Sequence, residues 1–252
     1  MLDSYSMPKY AYSSVNELLA YLFDDQPHLL AQPIEKWLES SRRFTAFIFT
    51  FRDKIRKKLR VTRDEETLYD LQLELETAYL LLRERSLSVA YEPEQSKQIR
   101  SPDFAVTFTT SHTFMVEVTR LRALPSGDKN PAVPPDGERL ADAICSKLGQ
   151  LLPQRSNVLI IGTSGPRLTV ENLTSVILQL QQRVERNDVA IVQRYRFRDR
   201  ADFFNHYGRL SQVLVRKAEV LEQEPLRVWV NPQAKHPLPV SVQTALHRSH
   251  AV

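Results

Sequence analysis

Near Ser86 the spacing of apolar residues changes, and that change does most to limit what this chain can fold into. Before it the period is helical. From Ile34 to about Leu59 the residues Ile34, Trp37, Leu38, Phe44, Phe47, Ile48, Phe51, Ile55 and Leu59 recur at three- and four-residue steps. That spacing predicts a long amphipathic helix, with a break near Ser40–Ser41. A shorter helical pattern runs from Ser14 to Phe23 after an irregular lead-in over 1–12, and a further helix fits Asp64 to Arg85. Past Ser86 the period falls to two. Leu87–Glu92, Pro102–Phe108 and Phe114–Leu121 read as strands rich in β-branched and aromatic residues, with a polar turn around Thr109–Thr113.

Residues 123–137 hold four prolines and two glycines and read as a mobile loop. A helix Glu138–Leu152, a buried strand Asn157–Ile161 and a helix from Thr169 to Arg186 follow. Beyond them come a strand Val189–Phe197, a short helix Phe203–Tyr207, strands Gln212–Arg216 and Leu226–Val230, and a terminal helix. This order predicts an α/β fold whose mixed β-sheet is flanked by helices, with 64–252 as its domain and 1–63 as an N-terminal helical segment.

Composition narrows the function classes. Thirty-four basic against thirty acidic residues leave a net charge of +4, which suits a polyanionic partner without requiring one. Cys145 is the only cysteine, so an intramolecular disulfide and a cysteine zinc site are excluded. Six scattered histidines give no metal-ligand spacing. No apolar run is long enough for a membrane helix, and the N-terminus has no signal-peptide pattern, so the expected setting is the cytoplasm with no membrane partner.

The chemistry concentrates in SPDFAVTFTTSHTFMVEVTRLR. Strand side chains alternate faces, so Asp103, Ala105 and Thr107 share one face, as do Met115, Glu117 and Thr119. With the turn centred on Ser111, Asp103 and Glu117 become diagonal neighbours, roughly 7–8 Å apart at the backbone. Two carboxylates at that spacing can reach one Mg²⁺ (or Mn²⁺).

Pro102-Asp103 followed fourteen residues later by Glu117-Val118-Thr119 resembles the signature of the PD-(D/E)XK, or restriction-endonuclease-like, nuclease superfamily. The resemblance spans roughly residues 64–162 and implies a restriction-endonuclease-like core that hydrolyses phosphodiester bonds in DNA with Mg²⁺. It implies Asp103, Glu117 and the Val118 carbonyl as metal ligands, with Glu74 as a further acid on the preceding helix. The sequence departs from the family at Thr119, where a lysine belongs. Threonine can hydrogen-bond a water but brings no positive charge. Lys147 lies on the apolar stripe Leu140, Ile144, Leu151 of the following helix, with Gln150 one turn on. A lysine on a sheet-facing stripe is costly without an anion beside it, so Lys147 is the candidate relocated lysine.

Basic residues supply candidate phosphate contacts. Arg52, Lys54, Arg56, Lys57, Lys58, Arg60 and Arg63 crowd one helix, and Arg194 and Arg196 alternate along the predicted strand 189–197. Arg120 falls on the face opposite Glu117 and joins this set. The phenylalanines at 44, 47, 49 and 51 read mostly as the buried face of a helix, and an exposed remainder would serve a second copy of the chain or a partner subunit, by analogy of fold alone. Two other classes compete with an active nuclease: a catalytically inactive PD-(D/E)XK relative that binds nucleic acid or acts as a scaffold, and an interaction protein whose acids are incidental. The segments FFNHYGRLS and WVNPQAKHPLP carry no readable chemistry.

Overall fold

A computed structural model describes residues 15–62, 64–93, 101–121, 136–163, 169–218 and 226–250. The chain divides into two compact units, Met1–Asp64 and Glu65–Val252. The lead-in 1–12 lies outside the described residues. So does the predicted loop 123–137, apart from its last two residues, which begin a helix.

Among its described residues the first unit has α1 (Val15–Phe23), α2 (Ala31–Ser40) and α3 (Arg42–Val61). The break falls at Ser41, whose backbone is extended and whose hydroxyl accepts the Phe44 N–H. Serine can bond its own downstream backbone more readily than it continues a helix. Leu22, Leu30, Ile34, Phe44, Ile48 and Ile55 form the interior of this unit.

The second unit comprises α4 (Glu65–Arg83), β1 (Leu87–Tyr91), β2 (Phe104–Phe108), β3 (His112–Leu121), α5 (Asp136–Leu148), β4 (Asn157–Thr163), α6 (Val170–Glu185), α7 (Val189–Arg194), α8 (Arg200–Tyr207), β5 (Leu210–Lys217), β6 (Arg227–Val230) and α9 (Val240–His250). It is an α/β unit with a six-stranded mixed sheet in the order β1-β2-β3-β4-β5-β6. β1–β2–β3 and β5–β6 pair antiparallel, while β3–β4 and β4–β5 pair parallel. Every residue of β4 is buried, as a strand covered on both faces must be.

Strand alternation assigns the faces. Leu121, Leu159, Ile161, Val213 and Val215 belong to one apolar cluster with Leu140 and Ile144 of α5 and Leu173 and Ile177 of α6. Both parallel connections step the same way along the sheet, and crossovers of one hand then lay their helices on one face. The opposite face carries α4, where a Cβ on Gly162 would meet Leu73 at 2.6 Å. α9 packs on α4.

Two sequence expectations need correction. Val189–Phe197 is not a strand. Asp188 caps the Ala190 N–H, Val189–Arg194 turns as a helix, and Ile191 and Phe197 enter the α5–α6 core. The β-branched residues there suggest a strand, but the cap and the packing override that preference. Likewise α5 stops at Leu148, because Gly149 and Gln150 form a turn in which the Gln150 N–H bonds the Lys147 carbonyl.

Two asparagines explain the segments whose chemistry the sequence hides. Asn157 accepts the Leu152 N–H and donates to the carbonyls of Leu152, Arg155 and Arg209. Asn231 donates to the carbonyls of Tyr207 and Leu210. Both satisfy buried backbone groups where irregular chain meets the end of β5.

Beneath α4 lies a buried ion pair. Arg216 of β5 reaches the Glu76 carboxylate at 2.8 Å, with side chains 7% and 2% exposed. It also donates to the Leu73 carbonyl and the Thr77 hydroxyl. Removing one member leaves the other charge buried without its counter-charge, which typically costs about 3–5 kcal/mol. Glu76→Leu and Arg216→Met are each expected to lower unfolding free energy by about that amount in denaturant titration. The double replacement should recover most of the loss.

His250 of α9 is buried, and that burial, with Arg216, His247 and Arg83 nearby, pushes its imidazole down to about 3. Its folded-state pKa is depressed, so the native state holds it neutral while the unfolded chain takes a proton below about 6.5. Stability is therefore expected to fall as pH drops from about 6.5 towards 3, by up to about 1.4 kcal/mol per pH unit. A shallower slope in His250→Gln, from chemical denaturation at several pH values, checks this.

Candidate functional site

The β2–β3 hairpin closes through Thr109–Ser111, with Thr109 left-handed at φ 54° and Phe108 paired to His112. The turn therefore centres on Thr110 rather than Ser111. Ala105 faces Met115 and Phe104 faces Val116, so the same register continued by one residue sets Asp103 directly across from Glu117. The expected diagonal becomes a direct pair, and because the shift is two residues the shared face is kept.

Asp103 sits just before β2, and its Oδ2 accepts the Val118 N–H at 2.7 Å. One carboxylate oxygen thus does the work of a ladder carbonyl where the paired strands end. Glu117 is 3% exposed on the α5 face. Lys147 crosses from α5 and places Nζ 3.0 Å from Glu117 Oε2, with side chains 14% and 4% exposed. The apolar stripe aims the lysine at the sheet, and the buried carboxylate supplies its anion. Thr119 follows Glu117 on the same face, half-buried.

Glu74 sits on α4, against the opposite face. It influences the same corner: the buried Tyr91 phenol is pushed well above its usual range by burial first, then by Glu74, Glu92 and Asp103. Among the described residues no three His, Cys, Asp or Glu side chains gather closely enough to hold a metal ion. Asp103 and Glu117 face each other across the hairpin, and Val118, whose N–H bonds Asp103, follows Glu117 in sequence. Gln150 lies in the turn after α5, where its amide nitrogen donates to the Ser146 carbonyl.

The expected basic contacts divide. Arg120 is 4% exposed and held by Glu66 at 2.5 Å and Asp70 at 2.9 Å, beneath the Tyr69 ring. Its charge is committed to α4 and is not presented to a phosphate. Arg194 and Arg196 do not share a strand face. Arg194 ends α7 and pairs with Asp142, and Arg196 follows in a turn at φ 59°. Asp142 also accepts the Tyr195 hydroxyl, and burial raises its carboxyl above the usual range. Asp142, Arg194 and Tyr195 border a cavity of about 360 Å³ between α5, α6 and α7, whose lining includes neither Glu117 nor Lys147. The basic residues of α3 belong to the first unit: Lys57 and Arg60 are exposed, Arg52, Lys54, Arg56 and Lys58 are half-buried, and Arg56 and Arg60 pair with Asp24. Burial, first among several causes, raises the Cys145 thiol, consistent with a core residue.

The class defined by this geometry is an α/β protein with a buried glutamate on the inner strand of a hairpin, a lysine of the following helix paired to it and an aspartate facing it. Comparison with family models, curated proteins and solved structures returns no match to this chain.

The pair makes its own energetic prediction. Lys147→Met is expected to destabilise the protein by about 3 kcal/mol, because Glu117 is left buried without its cation. Combining it with Glu117→Gln should recover a large part of that loss. Unfolding free energies of the four proteins in a double-mutant cycle measure the coupling.

Proposed function

We propose that this chain is a metal-dependent nuclease of the PD-(D/E)XK kind that hydrolyses phosphodiester bonds in DNA, with a lysine relocated from β3 to α5. The observation that carries the reading is the Lys147 ammonium 3.0 Å from Glu117. A lysine from the helix after the hairpin reaches the second acid of the motif, so a cation stands beside Glu117 although Thr119 occupies the usual lysine position.

Asp103 and Glu117, facing each other in register, offer the hard oxygen donors that Mg²⁺ or Mn²⁺ takes, and the Val118 carbonyl is a third. A bound divalent ion would polarise the phosphate and make a coordinated water more acidic. Lys147 would hold positive charge at the edge of that donor set and donate a hydrogen bond to the attacking water or to a phosphate oxygen. Thr119 would orient the same water through its hydroxyl. The hydrogen bond from Val118 to Asp103 fixes the carboxylate without neutralising it.

A second reading has its own support. Asp103 already serves the backbone, and no third acid joins Asp103 and Glu117 among the described residues. Both features suit a PD-(D/E)XK relative that has kept the scaffold as a nucleic-acid-binding or scaffolding subunit and has lost cleavage.

Incubation of the full chain with single- and double-stranded DNA and Mg²⁺ or Mn²⁺ separates the readings. The nuclease should cut, Asp103→Ala and Glu117→Ala should abolish cleavage, and Lys147→Ala should slow it by about 10²–10³. Full activity in either carboxylate variant would remove the assignment. A wild type that binds DNA in a salt-sensitive manner and never cuts would favour the second reading.

A further inference from the structure

The outward side of α6 carries charge only at its two ends. A surface helix normally turns charged residues to water along its whole length. Charged residues make up 25% of the chain, yet none occurs in α6 between Glu171 and Arg183. Leu173, Ile177, Leu180 and Val184 turn α6 to the core. At helical spacing Glu171, Ser175, Leu178, Gln182 and Arg186 then fall on the other side, and all five are exposed. Leu178 keeps 51% of its surface open. It borders a shallow groove of about 550 Å³ lined by residues of α6 alone, Val170 and Ser175 among them.

The charges at the two ends of this stripe are opposite. Glu171 lies in the first turn, where its own backbone N–H and then the Thr169 hydroxyl hold its carboxyl below the usual range. Arg186 caps the other end, and its guanidinium enters no ion pair among the described residues. Glu171 and Arg186 are equally far from the midpoint between Leu178 and Gln179, and so are Ser175 and Gln182. An identical helix laid antiparallel across this midpoint therefore sets Glu171 against the other copy's Arg186, and Arg186 against its Glu171. Ser175 meets Gln182 in the same way. Leu178 meets its own counterpart beside the twofold axis, where packing takes both out of water. Such a surface is complementary to itself, as a twofold interface requires.

We propose that the outward side of α6 is a homodimer interface, on which a second copy of this chain packs antiparallel to the first. A nucleic acid or an anionic membrane fits less well, because the single cation of the stripe is offset by its single anion. At sixteen residues α6 is about 24 Å long. One helix pair of that length makes an interface at the small end of specific contacts, so the dimer is weak and depends on concentration. The inference is independent of the nuclease reading.

Sedimentation velocity of the full chain across the micromolar range reads the monomer–dimer equilibrium. Leu178→Glu is expected to weaken association about a hundredfold, because two carboxylates then meet beside the axis. Glu171→Lys and Arg186→Glu each set like charges together at both ends and should weaken self-association about tenfold or more. Mixed in equal amounts, these two variants should pair with each other more tightly than either pairs with itself. The double variant Glu171→Lys/Arg186→Glu should recover most of the wild-type affinity. A wild type that stays monomeric up to about 1 mM overturns the proposal, since even weak specific contacts associate there. Dimerisation unaffected by Leu178→Glu, or single charge variants with no preference for each other, would overturn it as well. Circular dichroism checks that each variant is folded.

Discussion

The contact on which the second unit turns is the Arg216–Glu76 pair beneath α4. A sheet buried on both faces must shed or satisfy its polar groups, yet β5 places an arginine on the α4 face. Its guanidinium reaches a carboxylate, a hydroxyl and a backbone carbonyl of one helix, so α4 has few rotations and translations that keep all three satisfied. A hydrophobic pair would tolerate sliding; a planar donor with fixed directions does not. That fixed placement also brings Glu66 and Asp70 over Arg120 and sets Glu74 near the β1–β2 corner.

The two faces of the sheet therefore use charge differently. On the α4 face the ions join one strand to one helix deep in the interior, and their geometry is closed. On the α5 face Lys147 meets Glu117 nearer the rim, where the lysine retains some exposure. Glu117 faces Asp103, whose carboxylate lies at the end of the paired strands.

Much of this could be read in the residues, and the failures have physical causes. The change of period at Ser86 separates α4 from β1 correctly, and the serine pair at 40–41 marks the division of α2 from α3 because serine competes for backbone donors. Lys147 was found by its cost: an ammonium on an apolar stripe needs an anion. The hairpin register escapes the pattern because β3 begins at His112, before the strongly apolar run that signals it. Val189–Phe197 resembles a strand in sequence because β-branched residues suit both a strand and a short, capped helix packed on a core. Gly149 does signal the end of α5, but the apolar stripe continues past it to Leu151. The amides of Asn157 and Asn231 leave no trace in the pattern, since their partners are backbone carbonyls distant in the chain.

A lysine two residues after Glu117 would belong to β3 and reach its place whenever the hairpin formed. Lys147 is thirty residues away and on another element, so the cation reaches Glu117 only when α5 docks. The pair is thus a product of tertiary structure rather than of a local motif. It makes the electrostatic character of the β3 site contingent on one helix, so that local opening of α5 would uncouple charge from scaffold while leaving the hairpin intact.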